Sequence, residues 1–276
     1  MAFNTREQLA NIPVVGRETA RLVQALRSWP QSYWSRPAYC PGWTAADAVA
    51  HLTMGGDFYA QVIAAGRSGE PTFPWGVDTP AAFREMRQAA SQKLIAGGPP
   101  ALIEGFEQKG AQLQAVLESL QESDLARVAR HPRGLIPIGL WVGMRLVELS
   151  AHDWDIRQPY ETPPHLSPNA LPALLGALPE MQFQFLEQRA PEELNGVYVL
   201  RAGDIAWGFT VHGKAVTYQA AAPTSYDACF SIDAESMILL TLGRADVAAK
   251  LRSAELTVTG DASKGQQFCA TLFRSF

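Results

Sequence analysis

The sequence predicts two domains of different class: an N-terminal four-helix bundle over residues 1–190 and a small α+β domain over residues 191–276. Two observations carry that reading. Up to about residue 190, apolar residues recur three and four apart, the period of a helix face, in four long stretches separated by loops. After residue 195 the period drops to two, β-branched and aromatic residues become frequent, and turn residues interrupt the runs.

The first helix starts with Thr5 as N-cap and carries Ile12, Val15, Leu22 and Leu26 toward Trp29-Pro30. In "PGWTAADAVAHLTMGGDFYAQVIAAG", Thr44 is an N-cap, and Asp47 three residues on completes a start like a capping box. The connection "RSGEPTFPWGVDTP" leads to a short helix around 80–96. "PPALIEGFEQKGAQLQAVLESLQESD" sets Leu102, Phe106, Leu113, Val116, Leu117 and Leu120 on one stripe. "PIGLWVGMRLVELSAHDWDIRQ" is the fourth long helix, and a further one, roughly 168–189, leads away from the bundle. Beyond it, "GVYVLRAG", "DIAWGFTVHG" and "KAVTYQAA" read as antiparallel strands, with "YDACFSID" as another. "DAESMILLTLGR" is a helix capped by Asp233, "ADVAAKLR" the next, "ELTVTGD" a strand, and "SKGQQFCATLFRSF" the closing helix. There is no internal repeat and no low-complexity tract.

Composition excludes several classes of function. Apolar residues make up 47% of the 276 and charged residues 18%, a balance that buries a core. The net charge of −4 and the lack of a basic run give nucleic acid nothing to hold. No stretch of eighteen apolar residues suggests a membrane span, and the start lacks the pattern of a signal peptide. The three cysteines, Cys40, Cys229 and Cys269, form neither a disulfide framework nor a C-x-x-C zinc pattern, which suits a reducing cytoplasm.

One constellation stands out. In "VELSAHDWDIR", Glu148 and His152 are four apart and project from one helix face. His51 lies inside the apolar stretch "AVAHLTM" of the second long helix. In a bundle, ligands from facing helices converge on the core, so these three residues are candidate metal ligands. Two imidazoles and one carboxylate leave an open position on tetrahedral zinc, the arrangement of a catalytic site; the same donors also suit iron or nickel. The plain alternatives are a solvated Glu–His pair and a satisfied core histidine.

"CPGWTAADAVAHL" and "ELSAHDWDIR", in that order, resemble the DinB-like superfamily and, more closely, the mycothiol-dependent maleylpyruvate isomerase family. In that family the His of W-T-x-x-D-x-x-x-H-L and the Glu and His of E-x-x-x-H-x-W-D bind a divalent metal, usually zinc. His51, Glu148 and His152 fall on those positions. The resemblance implies a DinB-like metal-binding bundle followed by a sterol-carrier-like α+β domain, and mycothiol as the thiol cofactor.

Several other residues have competing roles. Asp47, one turn before His51, either steers the imidazole or satisfies the helix start. Asp155 either orients His152 or pairs with Arg157. Trp43 and Trp154 read as packing. Cys40 reads as an inert thiol, with a fourth-ligand role as the alternative. His131, His165 and His212 sit beside proline or glycine and read as surface residues. Arg201 and Arg244 are candidate clamps for a substrate carboxylate, with the second domain expected over the mouth of the bundle.

The leading function is a zinc enzyme that uses a low-molecular-weight thiol to isomerise, or transfer sulfur to, a small electrophilic substrate. The alternatives are a hydrolase using metal-bound water and a metal-stabilised protein that binds a small molecule or lipid. In the last case "GFTV", "ACFSI" and "MILLTL" line an apolar cavity rather than a plain core. A monomer or homodimer fits either class.

Overall fold

The computed structural model describes residues 5–162 and 164–273. The described residues divide into two compact units, one running to residue 173 and the other starting at residue 174.

In the first unit, α1 (Thr5–Ala10) and α2 (Ile12–Ser28) take the place of one continuous helix. Pro13 falls in the first turn of α2, where a missing N–H costs nothing, and its ring would clash with a continuing helix. The cap assigned to the Thr5 side chain lies outside the described residues. α2 stops at Trp29, which is extended, as the residue before a proline prefers. α3 (Ala45–Ser68) is buried nearly all round and ends on Gly69 in the left-handed conformation. α4 (Pro80–Ala96) is capped by Thr79, and α5 (Gly98–Glu118) follows almost at once.

A hairpin of β1 (Val128–His131) and β2 (Gly134–Pro137) then precedes α6 (Trp141–Arg157). The helical reading of this region missed that hairpin, because two four-residue strands are too short for a period of two to show. It lies against α3 at Gly66, where a β-carbon would come within 2.5 Å of the Val128 carbonyl oxygen. His131 therefore ends a strand, half-buried among Phe58 and Trp141, rather than sitting on a surface loop. His165 and His212 are exposed, as expected.

α2 and α3 each pack against both α5 and α6, giving the four-helix bundle, and α4 lies across α3 and α5. Leu22, Leu26, Leu52, Ile63, Leu102, Phe106 and Trp141 are fully buried at its centre. Each such side chain contributes about 1.5–3 kcal/mol of burial.

The division between the two compact units falls near residue 173. Most of α7 (Leu171–Arg189) belongs to the second unit, where Gln182 donates to Thr241 at 3.0 Å and Tyr218 donates to Glu180 at 3.3 Å. The sheet comprises β3 (Asn195–Ala202), β4 (Ile205–His212), β5 (Ala215–Gln219), β6 (Ala228–Ile232) and β7 (Thr257–Gly260), in the order β5-β4-β3-β6-β7. Among the described residues, only the β3–β6 pair of this sheet is parallel. Two-residue turns beginning with Gly203 and Gly213, both at positive φ, close the β3–β4 and β4–β5 hairpins. Asp233 caps α8 (Ala234–Thr241), Asp246 caps α9 (Val247–Arg252), and Asp261 caps α10 (Ala262–Leu272). Phe268 of α10 stacks on Tyr198 and Phe230 of the sheet, with ring centres 4.1 and 5.3 Å away.

Candidate metal centre

The start of α3 fixes where His51 stands. Asp47 Oδ2 accepts from the Thr44 backbone N–H at 2.8 Å and from its hydroxyl at 2.6 Å, while Thr44 Oγ1 accepts from Asp47 N–H. Asp47 is thus the reciprocal half of a capping box and not a partner of the imidazole. Two turns on, Ala50 and Leu52 are fully buried but His51 keeps 23% of its side chain exposed. Glu148 and His152, one turn apart on α6, face it.

His51 Nε2 lies 3.2 Å from Glu148 Oε2, and the two imidazole rings meet edge to face with centres 4.7 Å apart. One donor atom from each of His51, Glu148 and His152 falls within 4.8 Å of the other two. Three donors that close, from two helices, could hold a single ion, and their nitrogen and oxygen chemistry suits a divalent transition metal. The residues fit the group that their spacing suggests.

Asp155 is completely buried and accepts from His152 Nδ1 at 2.9 Å, so the proton sits on Nδ1 and the Nε2 lone pair is left for a metal. The same Asp155 oxygen accepts from the Cys40 thiol at 3.1 Å, and the Asp155 carbonyl accepts from Tyr39 N–H at 2.8 Å. Cys40, His152 and Asp155 also form a compact trio, but Asp155 occupies the other ring nitrogen of His152, so Cys40 supports that histidine from behind. Arg157 pairs with Asp153 and Glu161 instead of Asp155. Trp43 stacks on His152, with centres 5.6 Å apart and planes 24° apart, and leans on His51. It walls the site as well as packing. Trp154 packs, with its indole N–H on the Pro164 carbonyl.

Burial lowers the His51 pKa, and the charges of Arg87 and His152 lower it further against the pull of Glu148. Glu148 lies well below the usual carboxylate range: burial opposes ionisation, but the His51 hydrogen bond and the charges of His51, His152 and Arg87 outweigh it. An ionised Glu148, and the lowered pKa of His51, both favour the deprotonated ligand atoms that metal binding requires.

Two arginines complete the centre, and neither was found from the sequence. Arg145, one turn before Glu148, is 1% exposed and donates through Nη1 to the Leu52 carbonyl at 3.0 Å. Its place inside the apolar run "LWVGMRLVEL" was the available signal. Arg87 on α4 brings Nη2 to 3.3 Å from both ring nitrogens of His51 and from its carbonyl oxygen. Nothing in the charged pattern of α4 singled it out. Gly55, one turn beyond His51, makes room for them: a β-carbon there would lie 3.1 Å from Arg145 Nη1 and 3.6 Å from Glu148 Oε2. The His51 side opens into a cleft of about 380 Å³ between α3 and α4.

Arg201 and Arg244 lie in the second unit. Arg201 is exposed on β3, and Arg244, just past α8, donates to the Leu242 carbonyl at 2.6 Å. The runs "GFTV", "ACFSI" and "MILLTL" are core: Phe209, Val211, Phe230, Ile232, Met237 and Leu240 are buried. A separate apolar cavity of about 490 Å³ is lined from α9, β7 and α10 by Val247, Leu251, Val258, Cys269 and Phe273. Burial pushes the Cys269 thiol up to about 12, so it is inert there. No helix among the described residues is long and apolar enough to cross a membrane.

Residues 15–157 match the family described as the mycothiol maleylpyruvate isomerase N-terminal domain, and residues 184–273 match the SCP-2 sterol transfer family. Two solved structures are similar over nearly the whole length. One is the mycothiol-dependent maleylpyruvate isomerase, with 18% identity, 92% of each chain covered and a TM-score of 0.61. The other is a histidine-to-alanine mutant of it, with 17% identity, the same coverage and the same TM-score of 0.61. At that identity the likeness is one of fold. No curated protein matches the chain.

Proposed function

The chain belongs to the mycothiol maleylpyruvate isomerase N-terminal domain family, and on that premise we propose a metal- and thiol-dependent enzyme acting on a small electrophilic substrate. The observation that carries the reading is the convergence of His51, Glu148 and His152 within 4.8 Å beside an open cleft. These three residues would hold the metal, and zinc is the ion proposed, because two imidazoles and one carboxylate are a ligand set of catalytic zinc. A bound metal supplies a Lewis acid that lowers the pKa of a thiol or water ligand. The thiol, mycothiol in this reading, supplies a nucleophile that is regenerated by an isomerisation or consumed in an S-transfer.

The chain's own residues do the rest. Asp155 and Cys40 hold the His152 ring in the tautomer that offers Nε2. Glu148 stays ionised and contributes the one negative charge among the ligands. Trp43 covers one side of both imidazoles and keeps water from that face. The partial exposure of His51 favours catalysis over a purely structural ion, whose site would be closed.

The test is turnover of a generic electrophile by zinc-loaded protein, with and without a panel of low-molecular-weight thiols. Activity is expected only with thiol present, and its loss on adding a chelator. Turnover at full rate without thiol would point to the hydrolase alternative.

A further inference from the structure

We infer that α4 is a lid over the metal centre, latched by Trp75 and Phe83 at one end and hinged at Gly98 at the other. What lies beneath the lid rests on the metal-centre reading; the latch and hinge stand on their own observations.

The packing of α4 differs from that of its neighbour α3. α3 buries most of its length, whereas among the 17 residues of α4 Phe83 alone is buried. Past Phe83 the inward row continues with Arg87, Ser91 and Ile95, each four residues after the last. These three are half-buried, and they line the cleft of about 380 Å³ that separates α4 from α3. An element with so little buried apolar surface opens far more cheaply than the bundle unfolds. At its far end α4 meets α5 through Gly97 and Gly98. Gly98 has a φ of 74°, which a residue with a β-carbon would resist, so the joint is free to turn.

Trp75, in the connection before α4, supplies the latch. Its φ of 63° and ψ of 18° are left-handed, an outlier for so bulky a side chain, and such strain persists only where contacts hold it. Two contacts do so. The indole N–H donates to Asp57 Oδ2 of α3 at 2.7 Å, and the ring lies 5.3 Å from that of Phe83 with the planes 7° apart. Asp57 is a firm post, paired with Lys109 of α5 at 2.8 Å and accepting from Gln61 at 2.9 Å. Phe83 in turn sits against Phe58 and Phe73. Letting go relaxes the Trp75 backbone, and that gain offsets part of the cost of opening.

One turn beyond Phe83, Arg87 brings Nη2 to 3.3 Å from the His51 carbonyl. When α4 swings out on Gly98, Arg87 leaves with it and His51 is uncovered from the cleft side. The latch then sets how fast an ion enters or leaves.

Hydrogen exchange read by mass spectrometry on the full-length protein, metal-free and zinc-loaded, tests this. In wild type the amides of α4 are expected to exchange at least about tenfold faster than those of α3 and α5. Trp75→Phe keeps a ring on Phe83 but loses the bond to Asp57, so α4 should exchange about tenfold faster again, with α3 and α5 unchanged. Zinc uptake by metal-free protein and zinc release to a chelator give the second readout. A lid gates both directions, so the variant should speed the two rates together by about tenfold, leaving the equilibrium affinity within about twofold of wild type. The inference is overturned if α4 is as well protected as α5 in wild type, a comparison that needs no variant. It is equally overturned if Trp75→Phe leaves α4 exchange unchanged, if it loosens α3 and α5 as much as α4, or if zinc affinity falls with the uptake rate unaltered. Wild type that takes up no zinc would instead overturn the metal-centre reading, while the exchange comparison still decides the lid.

Discussion

Helices α6 and α10 treat polar residues in opposite ways. α10 turns Lys264 and Gln266 outward, and buries Phe268, Cys269 and Leu272 in the second unit. α6 does the reverse: Arg145, Asp153 and Asp155 are buried, and Glu148 and His152 are half-buried, inside a bundle core. Burying charge costs stability unless every charge finds a partner, and Arg145 keeps two nitrogens, Nε and Nη2, without a hydrogen-bond partner among the described residues. A helix selected for packing alone would look like α10. The concentration of polar groups on α6 marks the place where stability has been given up for chemistry.

Substitutions on the two helices should therefore fail in different ways. Phe268→Ala removes a fully buried ring at the centre of the second unit and is expected to destabilise that unit by about 3–5 kcal/mol, read as a lower urea midpoint. Metal content per folded chain should not change. An equal loss of metal in this variant would erase the contrast.

Asp155→Asn should show the complementary pattern. The amide keeps the volume but cannot take the same part in fixing the His152 tautomer, so metal affinity should fall by about 10–100-fold. A competition assay with a chelator measures this directly. Unaltered affinity would reduce the Asp155–His152 contact to packing.

A smaller difference is expected from pH. Burial and the Arg133 charge hold the His131 pKa at about 4, against an unfolded value near 6.5. Between those values the unfolded chain binds more protons, so His131 makes metal-free protein less stable as pH falls from about 6.5 toward 4. His131→Asn should flatten that slope in urea melts at several pH values. A steeper slope in the variant would contradict the burial assigned to His131.

The sequence revealed the bundle and the second unit because their helices are long and their strands alternate cleanly. Thr44 and Asp47 announced the start of α3 by their spacing alone. The β1–β2 hairpin was hidden by its length, and the break at Asn11 by apolar residues that continue in phase across Pro13. Within the site, His51, Glu148 and His152 were legible because helical spacing and a quoted motif place them together. Arg87 was not, since its role depends on how α4 crosses α3, a tertiary relation that no local pattern encodes. Gly55 was missed for a similar reason: its value is the space it leaves for side chains from α4 and α6.

If His51, Glu148 and His152 hold one divalent metal, elemental analysis of the purified protein offered zinc, nickel and iron will find about one metal per chain in wild type. Almost none is expected in His51→Ala or His152→Ala, with both variants keeping the helical circular dichroism of the parent. A folded wild-type chain that takes up no metal, or the two variants retaining the full complement, would contradict this assignment.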